Sequence, residues 1–134
     1  MGKLLGLDYG TKYIGIAISD PFKSIAFPLD KIEPAKILIK LQEILAEEDI
    51  EAIILGLPRA LKGNETAMTA IVKEFRSELE KHITIPIIFQ DERLTSCFVT
   101  KQLTSLGVNS KKQRQIKDAL EATQILQSHL KVNL

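Results

Sequence analysis

The sequence predicts a mixed α/β sheet of five strands with helices on both faces. Two observations carry that expectation. Two short apolar runs near the start, at residues 4–8 and 14–19, are separated by a turn containing Gly10. After Pro34, stretches with helical spacing alternate with further short apolar runs at residues 52–57 and 85–89. An initial meander followed by alternating helices and buried strands builds a sheet that is part antiparallel and part parallel. A length of 134 residues suits one domain with one sizeable core, so a single domain over residues 1–134 is expected.

The elements follow in order. Residues 4–8 and 14–19 read as an antiparallel pair, and Asp20-Pro21 closes the second strand, because proline cannot continue a ladder. Residues 25–29 form a third, short strand. Pro34 is placed to start a helix, in which Ile37, Leu38, Leu41, Ile44 and Leu45 recur at helical spacing before Glu47-Glu48-Asp49 end it. The run at 52–57 fits a central strand buried on both faces. A loop at 58–63 leads to a helix opening at Asn64, with Ala67, Ile71, Val72, Phe75 and Leu79 as its core stripe. Residues 85–89 form the last strand, ending at Gln90-Asp91-Glu92-Arg93. Thr95 or Ser96 caps a helix that stops at Leu106-Gly107. Ser110 and Gln113 fit a capping box for a final helix, with Ile116, Ala119, Leu120, Thr123, Leu126 and Leu130 facing inward.

Composition narrows the function classes. Hydrophobic residues make up 45% and charged residues 26%, the balance of a folded domain. No apolar run approaches the ~20 residues of a membrane span, and the apolar part of residues 1–6 is too short for a signal peptide. Cys97 is the single cysteine, so no internal disulfide forms, and a cytoplasmic location is expected. Net charge is only +1 but unevenly spread. Residues 30–51 carry seven acids and three lysines, whereas residues 93–117 carry six basic residues and no acid. That basic flank could lie along a phosphate backbone, but on charge alone a solvated, lysine-rich helix face is the favoured reading. His82 and His129 stand alone, without ligand spacing, and read as surface groups.

The chemistry lies in the acids. Asp8 ends an otherwise apolar strand, where a charge is costly unless something cationic accompanies it. Ligands in α/β sheets sit beyond the carboxyl ends of the strands. Asp91 and Glu92 follow the last strand, and Asp118 lies on the fringe of the terminal apolar stripe, so these acids are candidates for the same edge. Three carboxylates brought together need a compensating cation, and hard oxygen ligands without Cys or His favour Mg²⁺ or Mn²⁺. Two such ions ~3.5–4 Å apart activate water and stabilise a leaving oxygen in phosphodiester cleavage. The same acids also fit a capped turn at Asp8, an ion pair of Glu92 with Arg93 or a lysine, and an ordinary surface Asp118. Around them, Lys12 in the turn and Arg93 with its planar fork suit phosphate, and Arg59 suits a phosphate held at a helix start. Lys111, Lys112 and Arg114 lie in the basic stretch. Gly10 and Gly15 imply either positive φ or close approach of another segment.

Four motifs then converge: Gly6-Leu7-Asp8-Tyr9-Gly10 with Ile14-Gly15-Ile16-Ala17-Ile18-Ser19-Asp20; Gly56-Leu57-Pro58 with Gly63; Asp91-Glu92-Arg93-Leu94-Thr95-Ser96; and Lys117-Asp118 with Ala122 and Ile125-Leu126-Gln127. In that order, across nearly the whole chain, they resemble the YqgF family, a group described as pre-16S rRNA nucleases or Holliday junction resolvase-like proteins. The resemblance implies an RNase H-like fold. It also implies that Asp8, Glu92 and Asp118 hold Mg²⁺ or Mn²⁺, with Asp8 bridging two ions. Asp91 is then either the lesser ligand candidate of its pair or a residue that holds the loop, and Asp20 either belongs to the motif or caps its turn.

Some positions depart from the family. Tyr13 stands where the family commonly has Arg, Glu121 where it usually has Ala, and Val99 where it usually has Ala. Tyr13 then stacks on a base or leaves Lys12 to supply the missing charge. Glu121 is an extra ligand or a disturbance of the site.

The implied function is a metal-dependent endonuclease acting on structured RNA, with the 5' end of pre-16S ribosomal RNA as its target. A ribosomal partner would add affinity, since basic residues are few. A resolvase of branched DNA is the alternative nuclease, since the fold permits both substrates. Monomer and homodimer both stand open, and symmetric resolution of a junction calls for the homodimer. Two further classes remain, a non-catalytic nucleic-acid-binding protein of ribosome assembly and a nucleotide-binding module. The second draws on the likeness of Asp8-Tyr9-Gly10-Thr11 to the phosphate loop of actin-like ATPases, which need a second lobe.

Overall fold

The computed structural model describes residues 2–58, 65–92 and 110–132, and the side chains at 92, 110–116, 131 and 132 are not among the described ones. Strand β1 (Lys3–Asp8) pairs antiparallel with β2 (Ile14–Ser19), and β3 (Ala26–Ile32) pairs antiparallel with β2. Strands β4 (Ile50–Pro58) and β5 (Ile87–Glu92) add in parallel on the other side of β1. The sheet order is β3-β2-β1-β4-β5, so the expected mixed five-stranded sheet forms.

All but β2 differ somewhat from their expected bounds, β3 and β5 the most. β3 runs on to Ile32, through Pro28, which pairs with Ala17 where the register shifts. An edge strand tolerates proline because the missing donor can face away from the ladder. β5 begins at Ile87 rather than at 85 and continues through the polar Gln90-Asp91-Glu92, because its ladder with β4 extends to the pair Pro58–Glu92. An apolar run marks burial, whereas the strand itself follows the hydrogen bonds.

Helix α1 (Ile37–Glu47) follows a 3₁₀ turn over Pro34–Lys36, so Pro34 does start it, one tighter turn early. It buries Ile37, Leu41 and Ile44, with Leu38 and Leu45 partly buried beside them. Helix α2 (Ala67–Glu80) begins after the expected Asn64, with Thr66 as its N-cap and Thr69 completing a reciprocal capping box. Its inner stripe is Thr69, Val72 and Leu79, with Phe75 partly buried, whereas Ala67 and Ile71 are exposed. A threonine takes a core position because its hydroxyl hydrogen-bonds to the Pro58 carbonyl at the end of β4. Helix α3 (Ser110–Val132) buries Ala119, Ala122, Ile125, Leu126 and Leu130, and also Glu121. Leu120 and Thr123, expected inside, are only half-buried.

Strand alternation sorts the core into two layers. Leu5, Leu7, Ile14, Ile16, Ile53, Leu55 and Ile87 face α1 and α2. Leu4, Ala17, Ala26, Ala52 and Ile54 face α3. The second layer uses small residues, so α3 packs close. A Cβ on Gly6 would lie 2.8 Å from Leu126 Cβ and 2.9 Å from the Ala122 carbonyl oxygen. Gln127 pins the same helix to β3, accepting from the Ala26 amide at 2.9 Å and donating to the Ser24 carbonyl at 3.2 Å.

The expected helix between Thr95 or Ser96 and Gly107, most of the loop at 58–63, Val99 and Cys97 lie outside the described residues. Among the described residues no helix is long and apolar enough to cross a membrane.

Candidate active site

Asp8 is the last residue of β1 and only 9% exposed. Its register partner across β2 is Gly15, and paired antiparallel residues lie about 4.5–5.5 Å apart at Cα. A Cβ built on Gly15 would lie 1.8 Å from the backbone oxygen of Asp118. No side chain fits there, so α3 rests directly on β2 at that point. Asp118, Ala122, Leu126 and Leu130 recur every four residues along one helical row. The lower three are buried, and the row meets the sheet at Gly6 and then Gly15. Asp118 is therefore the polar end of an apolar row, and its backbone sits beside the register partner of Asp8.

Gly15 thus serves close approach. Gly10 does the same within the turn, where a Cβ would meet the Tyr13 carbonyl oxygen at 2.4 Å.

Opposing influences act on Asp118 at this edge. Burial, and next the Glu121 carboxylate, push the Asp118 carboxyl above its ordinary range, while Lys31 and Lys117 oppose the shift. Glu121, only 8% exposed, lies one turn from Asp118 and 3.7 Å from Lys117 Nζ. Lys31 pairs with Gly15 from β3, so Lys31, Gly15 and Asp8 form one row across three strands.

Glu92 is the last residue of β5, paired with Pro58. Its position has the strand parity of Ile88 and Gln90, while Asp91 has that of Ile87 and Phe89; its side chain lies outside the described residues. Asp91 is exposed. Lys12 is exposed in the turn, its Nζ 5.9 Å from the Tyr13 ring centroid. Arg59 and Arg93 lie outside the described residues, as do the side chains of Lys111, Lys112 and Arg114 in the first turns of α3.

Other candidates take structural roles. Asp20 caps its turn, accepting from the amides of Phe22, Ser24 and Ile25 and from the Ser24 hydroxyl. The expected phosphate site at the start of α2 loses a donor, since Thr66 takes up the Thr69 amide. His82 is exposed as expected, whereas His129 is half-buried and burial lowers its pKa. Sequence reasoning missed Lys31. Its signal was the register opposite Gly15, which only pairing supplies.

Among the described side chains no group of three metal-ligating residues is clustered. The donors brought to this edge are carboxylates, a set suited to a hard divalent cation.

Comparison with known proteins gives the family. A relative from Sulfurihydrogenibium sp. (strain YO3AOP1), named "Putative pre-16S rRNA nuclease", is 41% identical over 97% of this chain and 90% of its own length. A relative of the same name from Rickettsia bellii (strain OSU 85-389) is 40% identical over 95% of this chain and 84% of its own. Thermus thermophilus RuvC in complex with a Holliday junction superposes with a TM-score of 0.59 at 14% identity, covering 99% of this chain and 96% of RuvC. A fowlpox virus resolvase bound to Holliday junction DNA gives 0.55 at 14% identity over 98% and 99%. At such identity these structures speak for the fold alone, which is RNase H-like. The family model described as "RuvX: Holliday junction resolvase" matches residues 2–132, and with it the chain belongs to the RuvX (YqgF) family.

Proposed function

We propose that this protein is a metal-dependent endonuclease that hydrolyses a phosphodiester bond of structured RNA, in the cytoplasm, during maturation of the 5' end of pre-16S ribosomal RNA. The observation that carries the reading is the contact of the Asp118 backbone on Gly15, the register partner of Asp8. The backbone of Asp118 lies against the strand partner of Asp8, at the carboxyl edge of the parallel strands, which supports a site shared by the two acids. The shared name of the relatives supports RNA as the substrate.

Asp8 and Asp118, with Glu92 from β5, would hold Mg²⁺ or Mn²⁺. A divalent cation supplies charge neutralisation for the phosphodiester and lowers the pKa of water. The chain's own contribution is rigidity. Asp8 is fixed by two flanking strands and the Asp118 backbone by a buried helical row, so both acids would present themselves to the cation from rigid elements. Lys12, Arg59 and Arg93, with Lys111, Lys112 and Arg114 along the start of α3, would contact neighbouring phosphates and hold the backbone in register. A ribosomal partner would supply further affinity.

The test is cleavage of pre-16S RNA fragments with Mg²⁺ or Mn²⁺ by wild type, Asp8→Asn and Asp118→Asn. Cleavage by wild type alone is expected, and equal activity in all three ends the proposal. Branched DNA is the second reading, favoured by the family model's description. Its mark is symmetric cleavage of a four-way junction by a homodimer. A protein that stays monomeric on junction DNA and leaves it intact excludes that reading.

A further inference from the structure

We propose that Tyr13 is a stacking platform for an unpaired base of the substrate, placed beside the cleavage site by the β1–β2 turn; this rests on the nuclease reading above. The ring is half-buried and lines an open cavity of about 530 Å³ with Thr11, Lys12, Glu33, Pro34 and Ala35, within the size range of small-ligand sites. Two ammonium groups flank it. Lys31 Nζ lies 4.4 Å and Lys12 Nζ 5.9 Å from the ring centroid, both within cation–π range. Lys31 does not line the cavity, so a ring already held by one cation also borders an open space.

The chemistry of the lining fits a nucleotide rather than a simple apolar ligand. An aromatic ring offers a stacking surface that any base accepts. Lys12 suits the phosphate attached to that base. Glu33 is exposed, and its side chain makes no capping bond to the turn at Pro34. A carboxylate accepts from exocyclic amino groups, as Asp and Glu do from cytosine N4. The platform therefore favours cytosine, which presents that amino group, over uracil, which lacks it.

Placement ties the cavity to the acids. Tyr13 immediately precedes β2, and its backbone is folded onto Gly10, where no Cβ fits. Lys31, the cation on its ring, occupies the sheet row of Gly15 and Asp8. That row spans two strand spacings, about 10 Å, a separation that a few nucleotides of extended backbone cover. Single-stranded loops and ends are where RNA displays unstacked bases to proteins, so the nucleotide held here would flank the cut and set its position.

The test uses the full chain and a short fluorescein-labelled oligocytidine carrying one 5-iodocytidine, in chelator so that no cleavage occurs. Wild type and Tyr13→Phe are expected to bind alike. Tyr13→Leu, shown to be folded by its thermal transition, is expected to bind about tenfold or more weakly. Irradiation is expected to cross-link the iodinated base to Tyr13. Glu33→Ala is expected to abolish the preference for oligocytidine over oligouridine. Unchanged affinity in Tyr13→Leu, or cross-links confined to other segments, overturns the platform. The two readings fail separately. Wild-type RNA cleavage with no effect of Tyr13→Leu on binding sinks the platform alone. Cross-linking at Tyr13 in a protein that cleaves nothing sinks the nuclease alone.

Discussion

Asp20 and Asp118 have opposite environments, and each makes a prediction. The Ile25 amide, with Ser24 and Phe22 helping against some desolvation, holds the Asp20 carboxyl down to about 2 from an ordinary 3.8. A depressed folded pKa means its stabilisation is fully present above about 3.8 and is lost as pH falls through about 2. Asp20→Ala is expected to lower the urea midpoint at pH 7, with the difference from wild type shrinking at the acid end of that window. A difference as large at pH 2 as at pH 7 means the carboxylate is not its source. Asp118 is raised instead, by burial and then by Glu121. Its ionised form therefore weighs against the metal-free fold at neutral pH. Asp118→Asn is expected to leave the melting temperature in chelator unchanged or higher while abolishing cleavage; a fall of several degrees means the charge was stabilising. Asp8 was legible in the sequence because a single acid at the end of an apolar strand stands out. Lys31 was not, because its importance comes from a neighbour across the sheet.

At the scale of elements, the decisive contact is α3 on the glycines of β1 and β2. Gly15→Ala would set a Cβ 1.8 Å from the Asp118 oxygen, a backbone atom that cannot rotate away. Overpacking of this kind costs about 1–3 kcal/mol. The urea midpoint is expected to fall accordingly, and cleavage to fall further than stability because the helix acid moves from the strand acid. A wild-type midpoint means α3 slides without cost. The element types were readable from spacing, and their ends were less so. α2 begins at Ala67 because Thr66 and Thr69 close a capping box, a pairing that the acidic form of the motif does not flag. Its inner face includes Thr69 because the end of β4 offers a carbonyl there. Periodicity counts apolar residues and is blind to a hydroxyl satisfied by another element.

For the molecule as a whole, a cation held by the native site and not by the unfolded chain must stabilise the fold. At a hundredfold excess over Kd the gain is about 2.7 kcal/mol. Mn²⁺ is therefore expected to raise the melting temperature of wild type and to leave Asp8→Asn unshifted; an equal rise in both places the ion elsewhere. The sequence by itself determined the sheet class, the two helical layers and the acids worth testing, since apolar spacing and an acid at a strand end are local properties. Motifs in a fixed order also pointed to the family. Tertiary structure alone decided which residues share an edge. Asp8, Gly15, Lys31 and Asp118 are up to 110 positions apart, and what joins them is strand register and the close seating of a helix on two glycines. Register and helix seating arise from contacts between distant segments, and spacing along the chain carries no record of them.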